Sequence, residues 1–332
     1  LSNKTRVTSL SVGKGIMAQA RNLFYSILRW FDSEAGAEHI DRTSTRLNWI
    51  RIVPFIALHL GCLGVIWVGF SSVAVWFAIG FFVLRMFAIT GFYHRYFAHK
   101  TFSTNRFWQF VFAVIGSSAV QRGPLWWAAH HRHHHQHSDT EQDLHSPEQQ
   151  GFWWSHVGWF TCDAAFLTDY RRVGDWARYP ELKFLNRFDA IVPLACLIGI
   201  YALGEALAIW APSLGPSGPQ LTVWGFFIST VAVFHGTVSI NSLAHVWGHR
   251  RFQTADDSRN NFWLALLTLG EGWHNNHHRW PQSARQGFRW YEIDITYYLL
   301  WLMEKAGIVR ELNPLPRHIQ EETLNRDKRT RA

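Results

Sequence analysis

Long apolar runs alternate with polar stretches along the chain, in a pattern typical of a multi-pass membrane protein. Four runs are almost wholly apolar, and they lie at about residues 52–70, 73–93, 188–210 and 221–243. A bilayer core about 30 Å thick requires about 20 helical residues, so each run predicts one spanning helix. The pattern therefore predicts an all-α integral membrane protein with four transmembrane helices.

The remaining polar residues divide into an arm, a cap and a tail. They are an N-terminal arm (residues 1–48), a cap in two parts (94–187 and 244–281) and a C-terminal segment (282–332). The four apolar runs and the cap together predict one domain over residues 49–281. The end of the tail, residues 321–332, is mostly charged or polar, and we expect it to be disordered.

The two connections between paired apolar runs carry no basic residue. One is the turn at Ser71 and Ser72 and the other is the uncharged loop at residues 211–220, and neither contains any of the 32 Lys and Arg residues. Basic residues mark the cytoplasmic side of a membrane protein. The pattern thus predicts that both ends of the chain and the cap lie in the cytoplasm, and we expect the plasma membrane of a bacterium.

Composition narrows the class of protein further. The chain has 332 residues, of which 19 are Trp, and its formal net charge is +8. Tryptophan favours the membrane interface, and the basic residues are dispersed without a nucleic-acid-binding motif, which argues against a nucleic-acid partner. Cys62, Cys162 and Cys196 are far apart in the sequence, which excludes a cysteine-ligated iron–sulfur centre. Any electrons that the protein uses must therefore come from another protein.

Histidines recur at short, regular spacings. Six of them fall within residues 130–137, and three sets follow one another along the chain: HxxxxH at His94 and His99, HxxHH at His131, His134 and His135, and HxxHH again at His274, His277 and His278. On a helix, spacings of three and four place side chains on one face, so each HxxHH set can hold a metal ion. His94 and His99 are five residues apart, and on an α-helix they could reach different ions of a pair. A solvated metal-buffering loop and an expression tag are the alternatives for the histidine-rich stretch.

At these motifs the sequence resembles the membrane fatty acid desaturases, in particular the Δ9 (stearoyl-type) acyl desaturase branch. The matching segments are GFYHRYFAH at 91–99, HRHHH at 131–135, NSLAH at 241–245 and GEGWHNNHH at 270–278, within a match over about residues 51–281. The Asn-Ser-x-x-His element distinguishes this branch from other membrane oxygenases with three histidine sets. The resemblance implies a four-helix membrane stalk whose cytosolic cap carries a di-iron site held by histidines.

The resemblance also implies the metal ligands. They are nine histidines, with Asn241 acting through water: His94, His99, His131, His134, His135, His245, His274, His277 and His278. Neutral imidazoles suit iron, whereas zinc lacks redox chemistry and its sites typically take four ligands. We expect two irons, O2 as co-substrate, no catalytic side chain beyond the ligands, and electrons from a ferredoxin, a rubredoxin or a cytochrome b5-like protein. We expect Asp139 and Asp143, which lie close to the second histidine set, to orient ligand imidazoles; ordinary surface charge is the alternative.

Further positions match those that shape the acyl channel in this branch. The residues that the resemblance places at the bend of the channel are Gln121, Trp127 and Thr237. Met86 and Phe82 precede His94 by eight and twelve residues on approximately one helix face. We expect these two side chains to close the channel and to favour C16 over C18 acyl chains. A lipid-facing or simple core position is the alternative for both.

The carrier of the acyl chain is less tightly specified by the sequence. Animal enzymes of this branch have a basic residue two positions before the first histidine of the second set, where this chain has Ala129. Arg95, Lys100 and Arg122 remain available to contact phosphate groups. We expect a cis double bond at Δ9 of a saturated C16–C18 chain carried by CoA, while carrier protein and glycerolipid stay open as carriers. The alternatives are a di-iron acyl hydroxylase or acetylenase and a non-enzymatic membrane metal-binding protein.

Overall fold

The fold is built from helices. The computed structural model describes residues 19–331, with side chains described up to residue 326. Within residues 19–331, extended segments pair only at isolated bridges, such as that between Ser103 and Arg310. The first 18 residues of the expected N-terminal arm and the last residue of the tail lie outside the described residues.

Four of the helices are long and apolar enough to cross a membrane, which confirms the four spans predicted from the hydrophobic pattern. These are Trp49–Val68, Ser72–Ala98, Ile191–Trp210 and Gly218–Val246. In chain order the helices are α1 (19–28), α2 (Trp49–Val68), α3 (Ser72–Ala98), α4 (Arg106–Ser117), α5 (Pro124–His137), α6 (Pro180–Arg187), α7 (Ile191–Trp210), α8 (Gly218–Val246), α9 (Phe262–Leu267), α10 (His274–Arg279), α11 (Ile295–Lys305) and α12 (Arg317–Arg331).

Two of the spanning helices are longer than a bilayer requires. α3 has 27 residues and α8 has 29, which at 1.5 Å per residue corresponds to roughly 40 Å. The apolar core of a bilayer is about 30 Å thick. The C-terminal ends of both helices therefore project beyond the apolar layer, and they carry His94 and His245.

The projecting end of α3 is a π-helix, from Ala88 to Ala98. Its backbone bonds join residues five apart, as in the 3.1 Å bond from the His99 nitrogen to the His94 oxygen. His94 and His99 therefore lie on one face, with ring centroids 4.8 Å apart, and both belong to one metal-binding group. The idea that these two histidines reach different ions assumed a regular α-helix and is wrong.

The cap packs on the projecting end of α3. Phe92 of α3 stacks on Phe112 of α4 with ring centroids 4.0 Å apart. The carbonyl of Phe97 accepts hydrogen bonds from the indole of Trp176 at 2.8 Å and from the guanidinium of Arg132 at 2.8 Å. Because Arg132 lies on α5, these bonds fix the second histidine set against the π-helix that carries the first.

The tail is helical where disorder was expected. α12 continues to Arg331, and Ile319 and Thr323 on this helix are buried. Glu322 also pairs with Arg279 of α10 at 2.7 Å. For residues 321–331 the expectation of disorder is therefore wrong, because the charged composition belongs to a helix whose other face packs against the protein.

Candidate metal centre

Nine histidines converge where α3, α5, α8 and α10 meet. They form two groups, and within each group the ligand nitrogens lie within 4.8 Å of one another. The first group is His94, His99, His131, His135 and His277, and the second group is His134, His245, His274 and His278. The structure thus brings together the nine histidines that were expected as ligands.

α5 and α10 divide their histidines between the two groups in opposite ways. In α5 the histidines at i and i+4 belong to the first group, and the histidine at i+3, His134, belongs to the second. In α10 the arrangement is reversed, and the histidine at i+3, His277, belongs to the first group. Residues at i+3 and i+4 lie on slightly different sides of a helix face. The two opposed helices have the same histidine spacing, and each therefore contributes to both groups.

The spacings between nitrogens fit metal coordination. The Nε2 atoms of neighbouring imidazoles lie close together in the pairs His94–His277 (3.1 Å), His99–His131 (2.8 Å), His135–His277 (2.9 Å) and His245–His274 (3.1 Å). Two nitrogens bound at right angles to one ion, each at about 2.1 Å, are about 3.0 Å apart. The buried Nε2 of His278 has no hydrogen-bond partner among the described residues. The nitrogens therefore fit an ion in each group.

Carboxylates fix the orientation of four of the imidazoles. In each case Nδ1–H donates to a carboxylate oxygen, in the pairs His94–Glu271 (2.5 Å), His134–Asp143 (2.9 Å), His245–Asp139 (2.8 Å) and His278–Asp256 (2.7 Å). Donation from Nδ1 fixes the tautomer and leaves Nε2 free to bind a metal. Asp139 and Asp143, expected to orient ligands, thus each contact one of the nine histidines.

Sequence reasoning missed Glu271 and Asp256. Glu271 lies three residues before His274, within the matching segment GEGWHNNHH at 270–278, so its place in that segment was a usable signal. Asp256 lies 22 residues before its partner His278, and no local spacing links the two. The loop after α8 brings Asp256 to the site, because it folds back on itself at the bridge between His249 and Asn260.

Burial favours the uncharged form of six of the nine imidazoles. It lowers the pKa values of five of them well below the ordinary value, and neighbouring imidazoles lower these pKa values further; the five are His99, His131, His135, His274 and His277. Burial also lowers the pKa of His278 to about 4, although Asp256 partly offsets this shift. Neutral imidazole is the form that binds metal ions. At neutral pH these six imidazoles are therefore in the form that binds metal ions.

The carboxylate of Asp139 is ionised and accepts hydrogen bonds from several residues. Burial alone would raise its pKa, but hydrogen bonds from His245, from the backbone of Asp257 and from Ser146 lower the pKa of Asp139 to about 2. Its φ of 59° lies in the left-handed region, which aspartate tolerates better than most residues. The negative charge of Asp139 is thus fixed beside the second group.

Two cavities meet at the metal centre. The larger, of about 570 Å³, extends between α2, α7 and α8, and the smaller, of about 40 Å³, lies against α3. Trp127, His131, Thr237 and Asn241 line both cavities. An alkyl chain that passed from one cavity into the other would therefore pass beside His131, a member of the first group.

The expected bend residues lie together at this junction. Gln121 donates from Nε2 to Oγ1 of Thr237 at 2.9 Å. Trp127 stacks on His131 with ring centroids 4.9 Å apart. Asn241 lies one helical turn beyond Thr237 on α8, at the same junction. The structure thus brings Gln121, Trp127, Thr237 and Asn241 to the point where the two cavities meet.

Met86 and Phe82 occupy different positions. Met86 is fully buried, lines the small cavity and packs against Gly236, where an added Cβ would lie 2.6 Å from the Met86 methyl carbon. Phe82 lies outside the lining of both cavities and packs against the buried core. Of the two side chains expected to close the channel, Met86 lines the small cavity, whereas Phe82, one helical turn farther from His94, lines neither cavity.

The expected phosphate contact is corrected for Arg95. Its guanidinium is almost fully buried, and it pairs with Asp294 at 2.9 Å and with Glu271 at 3.2 Å. The guanidinium of Arg95 is therefore paired with two buried carboxylates of the protein and not with a substrate phosphate. Since Glu271 accepts from His94, Arg95 also holds the carboxylate that orients a ligand.

Lys100 and Arg122 lie in different surroundings. The Lys100 ammonium is on the surface, 3.3 Å from Asp175. Arg122 lines the large cavity and pairs with Asp189 at 2.6 Å. Of these two basic residues, Arg122 is thus the one placed beside the large cavity.

Similarity to known proteins extends over most of the chain. The profile of the family described as fatty acid desaturase matches residues 69–310. The sn-1 stearoyl-lipid 9-desaturase of Anabaena variabilis is 35% identical over 273 residues, which cover 80% of this chain and 94% of that protein. The sn-2 palmitoyl-lipid 9-desaturase of Nostoc sp. (strain 36) is 34% identical over 283 residues, or 82% of this chain and 93% of that protein. The acyl-CoA 5-desaturase AL21 of Anemone leveillei is 33% identical over 285 residues, or 82% and 84%.

Proposed function

The chain belongs to the fatty acid desaturase family, and from this premise we propose that it inserts a cis double bond at Δ9 of saturated C16 and C18 acyl chains. Relatives named for carbon 9 of stearoyl and palmitoyl chains support the position and the lengths. The observation that carries the proposal is the meeting of two cavities beside two complete histidine groups. Because these relatives are desaturases, they favour this reaction over hydroxylation, acetylene formation and non-catalytic metal binding.

The two histidine groups would hold two irons. Five imidazoles would surround one ion, and four imidazoles with Asn241 acting through water would surround the other. When bound, the irons supply the O2 activation that unactivated C–H bonds require. In balance, O2, two electrons, two protons and a –CH2–CH2– segment give –CH=CH– and two molecules of water. The chain itself holds neutral imidazoles in fixed tautomers at the place where the acyl chain passes.

The junction residues would position the acyl chain. We infer that the path turns at Trp127 and Thr237, which line both cavities, and at Gln121, which lines the larger cavity and donates to Thr237. A bent path accepts only those conformers that present one pair of carbons to the ligands, which favours a single double-bond position and a cis product. Met86 ends the small cavity, and we infer that it limits the number of carbons beyond the double bond.

We infer a membrane glycerolipid as the acyl carrier, in place of the CoA expected from the sequence. Relatives named for acyl-lipid substrates support this choice. The large cavity is lined by Val53 of α2 and Leu194 of α7, and both side chains are also exposed on the outside of the helix bundle. An opening between two lipid-facing helices would admit an acyl chain from the bilayer while its glycerol group stayed at the interface.

The centre would face the cytoplasm of a bacterial cell. The connections between α2 and α3 (residues 69–71) and between α7 and α8 (residues 211–217) contain no Lys or Arg, which supports their placement outside. The three cysteines are free and do not form a cluster. Electrons would therefore arrive from a separate donor of the ferredoxin, rubredoxin or cytochrome b5 type.

Expression in a host strain that cannot make unsaturated fatty acids tests the reaction. We expect growth without added unsaturated fatty acid, and monounsaturated C16 and C18 chains whose double bond lies at Δ9 by mass spectrometry. His131→Ala is the inactive control, since it removes the ligand at the junction of the cavities. If iron-loaded protein with an electron donor forms no unsaturated chain, the proposed function is wrong. A double bond at another carbon would contradict the Δ9 position alone.

Pulse labelling distinguishes the acyl carriers. Labelled saturated fatty acid should first appear as an unsaturated chain in intact glycerolipids, and later in the acyl-CoA pool. The reverse order would support CoA as the carrier.

In the same host, Met86→Ala should raise the ratio of C18 to C16 products, because it lengthens the small cavity. An unchanged ratio would remove Met86 from the determination of chain length.

A further inference from the structure

Three histidines outside the metal centre form a continuous chain of hydrogen bonds in the helix bundle. His59 on α2 faces His235 on α8, with their Nε2 atoms 3.0 Å apart. Nδ1 of His235 lies 3.0 Å from Nε2 of His156, which belongs to the cap turn Trp154–Gly158. Nδ1 of His156 lies 2.9 Å from the hydroxyl oxygen of Ser242 on α8. The chain therefore links α2, α8 and the cap.

The carbonyl at the α2 end of the chain sets the direction of its hydrogen bonds when each imidazole carries one proton. The carbonyl of Phe55 lies 2.8 Å from Nδ1 of His59, and because a carbonyl can only accept, His59 then donates from Nδ1 and accepts at Nε2. His235 in turn donates from Nε2 and accepts at Nδ1, and His156 donates from Nε2 and accepts at Nδ1. The hydroxyl of Ser242 lies 2.9 Å from Nδ1 of His156 and 3.0 Å from the carbonyl of Val238, and with its one proton directed to His156 it completes the four hydrogen bonds.

His235 is the central link, since it is once an acceptor and once a donor. Replacement of His235 by an apolar side chain would leave Nε2 of His59 and Nε2–H of His156 without their partner. Unsatisfied polar groups are costly within a membrane, where water is scarce. Glutamine offers one carbonyl acceptor and one amide donor, so it can occupy the same place in the chain.

His59 also belongs to the wall of the large cavity. Its ring centroid lies 4.3 Å from that of Phe55, which in turn lies 5.0 Å from Phe234 and 5.5 Å from Phe160. All four side chains line the cavity. The chain of histidines therefore anchors an aromatic wall along which an acyl chain would lie.

α2 packs on α8 along one side and borders the cavity along another. Gly61 of α2 lies so close to Phe227 of α8 that an added Cβ would be 2.3 Å from the ring. Leu58 of α2 and Leu197 of α7 both line the cavity. The position of α2 relative to α7 and α8 therefore sets the width of the cavity.

We propose that His59, His156 and His235 are positioning residues that clamp α2 against α8 and thereby determine which carbon pair lies beside the metal centre. Arg51, near the N-terminal end of α2, also lines the large cavity. A shift of α2 would move this polar end of the path relative to His131, and the number of carbons between them would change. The selection of the carbon pair rests on the proposed function, whereas the clamping of α2 does not.

Spin labels on two native cysteines measure the clamp without any turnover. Cys62 on α2 and Cys196 on α7 are partly exposed, and Cys162 is fully buried, so labelling can be directed to α2 and α7. In reconstituted protein we expect His235→Leu to lengthen and broaden the distribution of distances between Cys62 and Cys196. His235→Gln should restore the native distribution. If all three proteins give the same distribution, α2 is not clamped by this chain.

A second variant covers the case in which His235→Leu does not accumulate in the membrane. His156→Leu keeps the bond between His59 and His235 but leaves Nδ1 of His235 without its donor. We expect a smaller broadening of the same distance distribution. A native distribution in His156→Leu would overturn the proposal in the same way.

Product analysis tests the selection of the carbon pair. In His235→Leu we expect the ratio of Δ9 products to products with neighbouring double-bond positions to fall about threefold or more, the factor that corresponds to the loss of one net hydrogen bond. His235→Gln should stay close to the native ratio. Ser239→Ala is the control, since Ser239 donates to the carbonyl of Gly236 within the same helix.

The outcomes separate the two proposals. An altered distance with native products would overturn the selection of the carbon pair. Absence of unsaturated products from the native protein would contradict the proposed function, and the distance measurement would then still decide the clamp. Altered products in both His235→Leu and Ser239→Ala would point to a general disturbance of α8 and would overturn the specific role of the chain.

Discussion

The two histidine groups share helices α5 and α10 but differ in the residues that support their imidazoles. Among the described residues, one of the five imidazoles of the first group donates to a carboxylate, whereas three of the four in the second group do so. Carboxylate partners orient imidazoles and make them stronger ligands. The group with fewer imidazoles is therefore the group with more carboxylates. Two sites of nearly the same ligand chemistry are thus distinguished by the residues behind the ligands.

The largest effect should follow the loss of one ligand from either group. His135→Ala opens the first group and His278→Ala opens the second, and we expect desaturation to fall below detection in both, because the reaction needs both ions. Iron analysis should give well under the native value of about two ions per chain. Circular dichroism should remain close to that of the native helices. Full activity in either variant would contradict the proposed role of that histidine as a ligand of the proposed di-iron site.

The next effect should be confined to the second group. Asp256→Asn replaces the negatively charged acceptor of His278 by a neutral amide, and we expect the affinity for one of the two ions to fall about 10- to 100-fold. Asp257→Asn is the matched control, since the Asp257 side chain is partly exposed and pairs with Arg250. Titration of metal-free protein with ferrous iron measures both affinities. An equal fall in the affinities for both ions would contradict the inference that carboxylates support mainly the second group.

Acid should destabilise the metal-free protein through both groups. Burial lowers the pKa of His278 to about 4, and it lowers the pKa values of His131 and His135 in the same direction. The unfolded chain, with histidine pKa values of about 6.5, then binds more protons than the folded chain as the pH falls below about 6.5. Stability should therefore decrease with falling pH in that window. A thermal unfolding midpoint that is unchanged between about pH 7 and about pH 5 would contradict the burial of neutral imidazoles.

The smallest effect should come from histidines that lie on α5 but belong to neither group. His133 donates from Nε2 to the carbonyl of Gln142 at 2.8 Å, and His137 is the last residue of α5. We expect His133→Gln and His137→Gln to keep iron content and product yield within about twofold of native, as surface substitutions usually do. A loss of iron in either variant would identify that histidine as a further ligand. It would then contradict the division of the ligands into groups of five and four.

The sequence predicted the members of the metal centre better than their arrangement. The nine histidines could be named because the spacings matched a family pattern. Their division into two groups could not be predicted, because the two HxxHH sets have the same spacing and supply the two groups in opposite ways. His94 and His99 share one group because α3 becomes a π-helix at Ala88, and a count of 3.6 residues per turn does not predict that change.

Long-range contacts account for the other differences between sequence and structure. Arg95 was expected at a phosphate, but the chain after α10 brings Asp294 to its guanidinium. Asp256 reaches His278 through a loop whose path no local pattern specifies. Met86 and Phe82 were treated alike because they lie one turn apart, yet the small cavity extends only as far as Met86. Spacing along one helix describes that helix, whereas these positions depend on what packs against it.

The order of the ligands along the chain determines when the centre can first bind metal during synthesis. The first group lacks His277 and the second lacks two members until α10 has been made, so five consecutive residues, His274 to His278, complete both sites. They follow His135 by 139 residues, which at about 5–20 residues per second is a delay of roughly ten seconds or more. By then α7 and α8 have been synthesised in full. Metal insertion is therefore a late event in biogenesis, and it acts on a chain whose spanning helices have already been synthesised.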